Sequence, residues 1–146
     1  MRIIGVDPGF AHIGIAIVEI SGSALSLLSA QTLDGRDSAA FLHRFDEICQ
    51  NAPDWIVMEG FTHPPNYTVG AKIMRVMGIV EGIAYCYGIK LNEISPQEII
   101  TQLGLDGTKQ ARRNLVSGNL VYGRKLSQHE IDACTVVLAL LKMMDS

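Results

Sequence analysis

The sequence predicts an α/β fold with a mixed five-stranded sheet flanked by helices, and three observations support this prediction. The chain begins with three strand-like apolar runs joined by short turns. Two further apolar runs, residues 54–58 and 89–94, alternate with segments of helical periodicity. Strand–helix–strand successions imply parallel pairing with right-handed connections. We therefore expect a three-stranded antiparallel meander, continued by parallel strands, in a single domain over residues 1–146.

The first three runs predict the meander directly. The first, Ile3 to Val6, ends in Asp7 and is followed at once by the turn pair Pro8-Gly9. The second covers residues 13–20, and a Ser-Gly-Ser turn leads to the third at 25–33. Strands that are adjacent in sequence and joined by short turns pair as antiparallel neighbours.

Helical periodicity appears in the segments between and after the remaining strands. Predicted helices begin near residues 37, 66, 95, 109 and 128, and the last ends near residue 143. Gly88 is a typical C-terminal stop for the long helix that begins at Asn66 or Thr68. Ser95 followed by Pro96 is a typical helix start, with Ser95 as the N-cap.

The formal net charge of −3 does not by itself indicate nucleic-acid binding, but the charge is unevenly distributed. Residues 107–129 contain no acidic residue and five basic ones: Lys109, Arg112, Arg113, Arg124 and Lys125. A local basic surface can hold a polyanion even on an acidic protein. A solvated basic face without a ligand is the alternative interpretation.

Other features limit the class of protein. Asp7 interrupts the first apolar run too early for a signal peptide, and no stretch approaches the roughly 20 apolar residues of a membrane span. Cys49, Cys86 and Cys134 lie in apolar segments without metal-ligand spacing, so we expect three reduced core residues. These features predict a cytoplasmic protein that does not interact with membranes.

Acidic residues follow two strands that should be neighbours in the sheet. Asp7 ends the first strand and Glu59 ends the strand at 54–58, so in a parallel pair both carboxylates lie at one edge. Asp132 lies at the start of the apolar last helix, three residues after His129. Glu130 has capping-box spacing from Ser127, which indicates a structural role. For Asp7, a turn residue that binds nearby amides is the alternative to a metal ligand or catalytic acid.

Carboxylates from separate elements suit one particular chemistry. Two divalent cations about 4 Å apart can activate water and stabilise the leaving oxygen of a phosphodiester. Mg²⁺ prefers such hard oxygen ligands and completes its shell with water and substrate phosphate. His129 is a candidate to ligate or orient an ion, or to transfer protons near neutral pH. The sequence contains no Walker loop and no dinucleotide-binding glycine motif that would favour another chemistry.

Four segments in order resemble the RuvC-type Holliday junction resolvases, which have the RNase H-like fold. Residues 4–9 (Ile-Gly-Val-Asp-Pro-Gly), followed by Gly14, resemble the first motif of that family. Residues 57–59 (Val-Met-Glu), followed by Asn66, Lys72 and Gly78, resemble the second. Ser95-Pro96 with Lys109 is similar to the family's later strand–helix region and lysine-bearing segment. Residues 129–133 (His-Glu-Ile-Asp-Ala) resemble the final motif, and together the four segments cover nearly the whole chain.

The resemblance implies a function and a site. Its catalytic and metal-binding residues are implied to be Asp7, Glu59, His129 and Asp132, with two Mg²⁺ or Mn²⁺ ions in each site. The implied reaction is symmetric hydrolysis of DNA phosphodiesters at a four-way junction by a homodimer. The candidate dimer contact is the long helix from Asn66, with Met74 and Met77; ordinary core packing of that helix is the alternative.

Candidate DNA contacts come from the same motifs and from the basic segment. They are Phe61, Asn66, Tyr67, Lys72, Arg75, Lys109, Arg112 and Arg113. The family usually has an aromatic residue three positions after its second acid, where this chain has Thr62. Because Thr62 cannot stack on a DNA base, Phe61 or Tyr67 is the alternative candidate for that role.

Other functions remain compatible with parts of the pattern. One is a different RNase H-fold nuclease, either a YqgF-like enzyme acting on ribosomal RNA precursors or a branched-DNA debranching enzyme. Another is a junction-binding module that has the fold but does not cut. An actin-like nucleotide-binding module also opens with an acid after a strand, but 146 residues leave no room for its second half.

Overall fold

The computed structural model describes residues 1–51, 53–60 and 66–146, and its elements follow the predicted order. The strands are β1 (Arg2–Asp7), β2 (Ile13–Ser21), β3 (Ala24–Leu33), β4 (Trp55–Glu59) and β5 (Lys90–Ile94). The helices are α1 (Ser38–Cys49), α2 (Tyr67–Tyr87), α3 (Pro96–Leu103), α4 (Lys109–Asn119) and α5 (Gln128–Met144).

The predicted mixed sheet is confirmed. Its strand order is β3-β2-β1-β4-β5, with β2 antiparallel to both β1 and β3 and β4 parallel to both β1 and β5. In the β1–β4 pair Val6 lies opposite Met58, one residue before the acid that ends each strand. The carboxyl ends of β1 and β4 therefore lie side by side, as the strand–helix–strand pattern predicts.

Side-chain caps fix the helix starts that the sequence indicates. The Asn66 side chain accepts a hydrogen bond from the Val69 amide at 2.9 Å, so Asn66, not Thr68, is the N-cap of α2. Ser95 and Ser127 both form complete capping boxes, at α3 and α5 respectively. Gly88 ends α2 with a left-handed φ of 65°, a conformation that glycine adopts without steric penalty.

The two faces of the sheet pack against different helices. Ile4, Val6 and Met58 point into a core formed with α1 and α2, and Ile3 and Val57 point to the opposite face, into a core formed with α3, α4 and α5. Because successive side chains of a strand alternate between faces, Asp7 shares the face of Ile3, and Glu59 shares the face of Val57. Both acids therefore lie on the face that α5 covers.

Helix α5 lies directly against the sheet because two glycines leave room for its backbone. A Cβ at Gly5 would lie 2.1 Å from the carbonyl oxygen of Ala133, and one at Gly14 would lie 2.0 Å from that of His129. Any larger residue would push the helix away, since real Cβ atoms essentially never approach that closely. Gly14 is the β-ladder partner of Asp7, so the close contact at Gly14 holds the first turn of α5 next to Asp7.

The cysteine expectation is correct for two residues and wrong for the third. Cys49 and Cys134 are buried, and burial, aided by nearby carboxylates, raises the pKa of both thiols to about 12. Cys86 is exposed because its position near the end of α2 faces away from the sheet. Among the helices in residues 1–51, 53–60 and 66–146, none has the length and apolar character needed to cross a membrane.

Candidate active site

The four residues of the implied catalytic set lie at one end of the sheet. Asp7 and Glu59 come from the ends of β1 and β4, and His129 and Asp132 come from the first two turns of α5. Asp7 and Glu59 reach α5 because both lie on the face that it covers. His129 and Asp132 are three residues apart and so project from the same side of the helix.

Asp7 and His129 form the first half of the cluster. The His129 Nδ1 lies 3.1 Å from the Asp7 Oδ2. The Asp7 side chain is 19% exposed and the His129 side chain 41% exposed, so the imidazole lies at the mouth of the cluster. The ring of His12, in the β1–β2 turn, lies 5.3 Å from that of His129, centroid to centroid. His12 is not among the predicted site residues, although its position five residues after Asp7, in the same turn, was a usable signal.

Arg112 holds the second half of the cluster together. Its Nη2 donates to the Glu59 Oε1 at 2.9 Å, and its Nη1 donates to the Glu59 Oε2 and the Asp132 Oδ1, both at 3.1 Å. The Gln128 Nε2 also donates to the Asp132 Oδ1, at 3.0 Å. The Arg112 and Glu59 side chains are each only 12% exposed, so water screens this pair weakly.

The cluster carries more negative than positive charge. Three carboxylates face one guanidinium. The excess negative charge acts most strongly on Asp7, because Asp7 does not contact Arg112. Burial, together with repulsion from Asp132 and Glu59, raises the pKa of Asp7 to about 6, although the hydrogen bond and charge of His129 act in the opposite direction. Burial opposes the charged form of Arg112, but Glu59 and Asp132 outweigh that effect and raise the pKa of Arg112.

The donor set is suited to divalent cations, but its present arrangement is not a metal site. Within the described ranges, no three His, Cys, Asp or Glu side chains lie close enough to hold one ion. Arg112 occupies both oxygens of Glu59 and one of Asp132. Three hard carboxylates with one imidazole and surplus negative charge nevertheless match the ligands that Mg²⁺ or Mn²⁺ prefers.

The basic segment is not the continuous exposed face that its sequence suggests. Arg112 points into the acid cluster, Arg113 donates to the Leu126 carbonyl at 3.1 Å, and Arg124 binds Glu130 and the Ala30 carbonyl. Arg112 and Arg113 turn inward because α4 packs against α5, whereas Arg124 lies between α4 and α5 and stays exposed while it pairs with Glu130. Lys109 and Lys125 are exposed.

The other predicted DNA contacts within the described residues lie on α2 or at its N-cap. Lys72 lies with its Nζ 4.3 Å from the centre of the Phe10 ring, in the turn that follows Asp7. Tyr67 is 90% exposed at the start of α2, and Arg75 is exposed further along that helix. Asn66 is engaged as the N-cap of α2. Phe61 and Thr62 lie outside the described residues.

The fold and the site define a class of protein. A five-stranded mixed sheet in the order β3-β2-β1-β4-β5, with acids at the ends of β1 and β4 and on the last helix, is the RNase H-like arrangement. The expected RNase H-like fold is confirmed by a solved structure of Thermus thermophilus RuvC in complex with a Holliday junction substrate. That structure matches with a TM-score of 0.86 at 18% identity, over 99% of this chain and 96% of that one.

Curated relatives confirm the resemblance to the RuvC-type resolvases at the level of sequence. The crossover junction endodeoxyribonuclease RuvC of Thermotoga petrophila is 26% identical over 136 residues, covering 88% of this chain and 81% of the relative. The protein of the same name from Brachyspira hyodysenteriae is 24% identical, covering 95% and 92% respectively. The yeast mitochondrial Holliday junction resolvase shares the fold with a TM-score of 0.71. No protein-family model matches the chain.

Proposed function

We propose that this protein is a structure-specific DNA endonuclease that resolves four-way junctions by metal-dependent hydrolysis of phosphodiesters. The observation that carries the proposal is the convergence of Asp7, Glu59, Asp132 and His129 from three separate elements at one end of the sheet. The curated relatives named as crossover junction endodeoxyribonucleases support it, since their similarity extends over most of the chain. In this proposal residues 1–146 act as one nuclease domain.

The proposed metal ligands are the three carboxylates and His129. The bound ions, Mg²⁺ or Mn²⁺ and two per site, would supply an activated water and stabilise the charge on the leaving oxygen. Asp7 orients the His129 imidazole through Nδ1 and leaves Nε2 on the far side of the ring, where it can ligate an ion; transfer of a proton through Nε2 is the alternative role. Gln128 fixes the carboxylate of Asp132 through the Oδ1 atom. Gly9 keeps the turn beside Asp7 compact, since a Cβ there would lie 2.1 Å from the His12 carbonyl oxygen.

The DNA is proposed to cross the end of the sheet that carries the acids. Lys72 and Lys109 are suited to contact phosphates there, because both carry a charged amine at the surface near the site. The exposed ring of Tyr67 offers a flat surface for an unstacked base. Arg75, Arg113 and Phe61 complete the proposed DNA-contacting set, with Arg112 once it leaves the carboxylates.

A homodimer is proposed because symmetric cutting of a two-fold junction requires two sites. The exposed side of α2 is its proposed interface: an apolar groove of about 550 Å³ lies there, lined by Leu42, Ile79, Gly82, Ile83 and Tyr87 among others. Met77 belongs to the core and is only 7% exposed, whereas Met74 is 64% exposed. Of the two methionines of the predicted dimer contact, only Met74 is therefore available to a second copy, and it lines a neighbouring pocket with Gly78 and Glu81, not this groove.

The groove can be blocked without disturbing the core. A Cβ at Gly82 meets no atom of the described residues within 4 Å, and the same is true of Gly118 on α4, which serves as the matched control. We expect light scattering to give the mass of a dimer for the unaltered protein and for Gly118→Glu, and that of a monomer for Gly82→Glu. A dimeric Gly82→Glu protein would exclude this face as the interface.

The activity is tested with a synthetic four-way junction and either Mg²⁺ or Mn²⁺. We expect paired, symmetric nicks from the unaltered protein and no cutting by Asp7→Asn, which still binds the junction. Cleavage that persists in Asp7→Asn would contradict the active-site assignment. Binding without cutting in both metals would favour the junction-binding module. Parallel assays on forks, loops and structured RNA distinguish a junction resolvase from the other RNase H-fold nucleases.

A further inference from the structure

A cation that belongs to the protein already lies among the acids of the site. Arg112 is the only residue of the basic segment, within the described chain, that contacts two of the proposed metal ligands. We infer that Arg112 is an internal counter-cation that competes with divalent metal for Glu59 and Asp132, so that metal loading requires the guanidinium to leave. The inference rests on the proposed function, because it takes these carboxylates to be metal ligands.

Arg112 occupies the carboxylate oxygens that a metal ion would need on Glu59 and Asp132. Its planar fork matches Glu59 in bidentate fashion, at 2.9 and 3.1 Å, and the same Nη1 reaches Asp132 at 3.1 Å. Glu59 is thus bound at both of its oxygens. A divalent ion placed on those oxygens would lie next to the guanidinium in a poorly screened site, where two positive charges repel strongly. The two occupants therefore exclude one another.

The arrangement also explains how the acids tolerate one another without metal. Glu59 and Asp132 come from β4 and α5, and Arg112 bridges them from a third element, α4. Without this bridge two half-buried carboxylates would face each other, beside a third in Asp7, with no compensating charge nearby. Arginine is suited to such a role because its long side chain can leave by rotation alone, while α4 stays in place.

The alternative is a fixed ion pair that remains when metal binds and helps to orient Glu59 and Asp132. The two roles predict opposite signs. If Arg112 competes, removing its charge makes metal binding tighter; if it supports the ligands, removing its charge makes metal binding weaker. Both roles predict a loss of stability in the metal-free protein, so only the metal affinity separates them.

The experiment compares the unaltered protein with Arg112→Gln and, as the matched control, Arg113→Gln. Arg113 is the next residue of α4 and carries the same charge, and the one side-chain hydrogen bond that it makes among the described residues is to the Leu126 carbonyl. After chelation, Mn²⁺ alone is titrated into each protein without DNA, and binding is followed by calorimetry. The thermal midpoint is measured with and without Mn²⁺.

We expect Arg112→Gln to bind Mn²⁺ about tenfold more tightly or better, since one competing charge is removed from a low-dielectric site. Its metal-free midpoint falls, and its stabilisation by Mn²⁺ grows. Arg113→Gln keeps the Mn²⁺ affinity of the unaltered protein. Arg112→Lys, which keeps the charge but loses the bidentate fork, gives an intermediate affinity and serves if the glutamine variant does not fold.

Unchanged or weaker Mn²⁺ binding by Arg112→Gln, or by Arg112→Lys if that variant is used, would overturn the inference. The result is separable from a failure of the proposed function. If the unaltered protein cuts junctions and Arg112→Gln binds Mn²⁺ no more tightly, only the inference fails. If neither protein binds Mn²⁺ or cuts DNA, both the inference and the proposed metal-dependent function fail.

Discussion

Two acids near the start of α5 lie in opposite electrostatic surroundings. Glu130 is 4% exposed, and its carboxylate accepts bonds from Arg124 and from the Ser127 amide. These partners hold the pKa of Glu130 below its usual value. Asp132, two residues later, shares Arg112 with Glu59 and lies close enough to Asp7 to raise the pKa of that group.

The difference separates a structural charge from a functional one. Glu130 is matched to one arginine and closes a capping box, so its charge stabilises the start of the helix. The cluster around Asp132 has three carboxylates and one arginine, so negative charge remains uncompensated. Such a surplus destabilises the metal-free protein, and it suits a cluster that takes up cations. Neutralising each acid in turn should therefore have opposite consequences.

Asp132→Asn should show the largest effect of the three variants, and this effect should be a loss of cleavage activity. Replacing one carboxylate of the proposed metal set should slow junction cleavage by about 100-fold or more, roughly 3 kcal/mol in the activation barrier. Its stability should hold or rise, because a charge is removed from the surplus. Single-turnover cleavage with Mg²⁺ and urea unfolding measure the two quantities. Cleavage at the normal rate would place Asp132 outside the reaction.

Glu130→Gln should show the reverse pattern. Loss of the charge-assisted pair with Arg124 at a buried position should reduce the free energy of unfolding by about 1–3 kcal/mol. Cleavage per folded molecule should stay within about threefold of normal, since the side chain contacts none of the acids in the cluster. Urea unfolding measures the first quantity. Cleavage is measured at about 20 °C below the thermal midpoint of the variant, where the protein is folded. A variant of full stability would contradict the structural role of the pair.

Asp7→Asn should alter the pH dependence of stability. The pKa of Asp7 is raised from 3.8 to about 6, so folding favours the protonated acid. The stability from this group is present below about pH 4 and is lost as pH rises through about 6. Asp132, Glu59 and His129 are the charged and titratable groups that act on it.

The free energy of unfolding of the unaltered protein and of Asp7→Asn is measured between pH 4 and pH 7.5, with a chelator present to remove metal ions. Relative to Asp7→Asn, the unaltered protein should lose about 1–3 kcal/mol over this range, the equivalent of about two pKa units. Glu130→Gln is the control, because its titration change has the opposite sign. Parallel pH curves for Asp7→Asn and the unaltered protein would contradict the raised pKa.

Local sequence signals predict those parts of the molecule that depend on nearby residues. The Ser127–Glu130 spacing predicts a capping box because three residues make one helical turn, and the box forms. Asn66 and Ser95 cap the helices that they precede for the same reason. The parallel pairing of β1 with β4 follows from the connection rules, and the alternation of side chains places Asp7 and Glu59 on one face.

Other features depend on contacts that no local pattern contains. Arg112 meets Glu59 across 53 residues and Asp132 across 20, so its role was invisible in a basic segment that suggested an exposed face. The proximity of His12 and His129 depends on how closely α5 approaches the sheet, which Gly5 and Gly14 permit. The same applies to the exposed position of Cys86.

By itself the sequence determined the order of strands and helices, the helix caps and the three elements that carry the acids. These follow from side-chain period, cap chemistry and connection rules, all of which act over a few residues or one crossover. Only the tertiary structure decided that a guanidinium lies where the motifs predict metal. That choice belongs to the packing of α4 on α5, which brings Arg112 within 3.1 Å of two acids from other elements. Charges buried together must find a partner, and the fold determines which one is within reach.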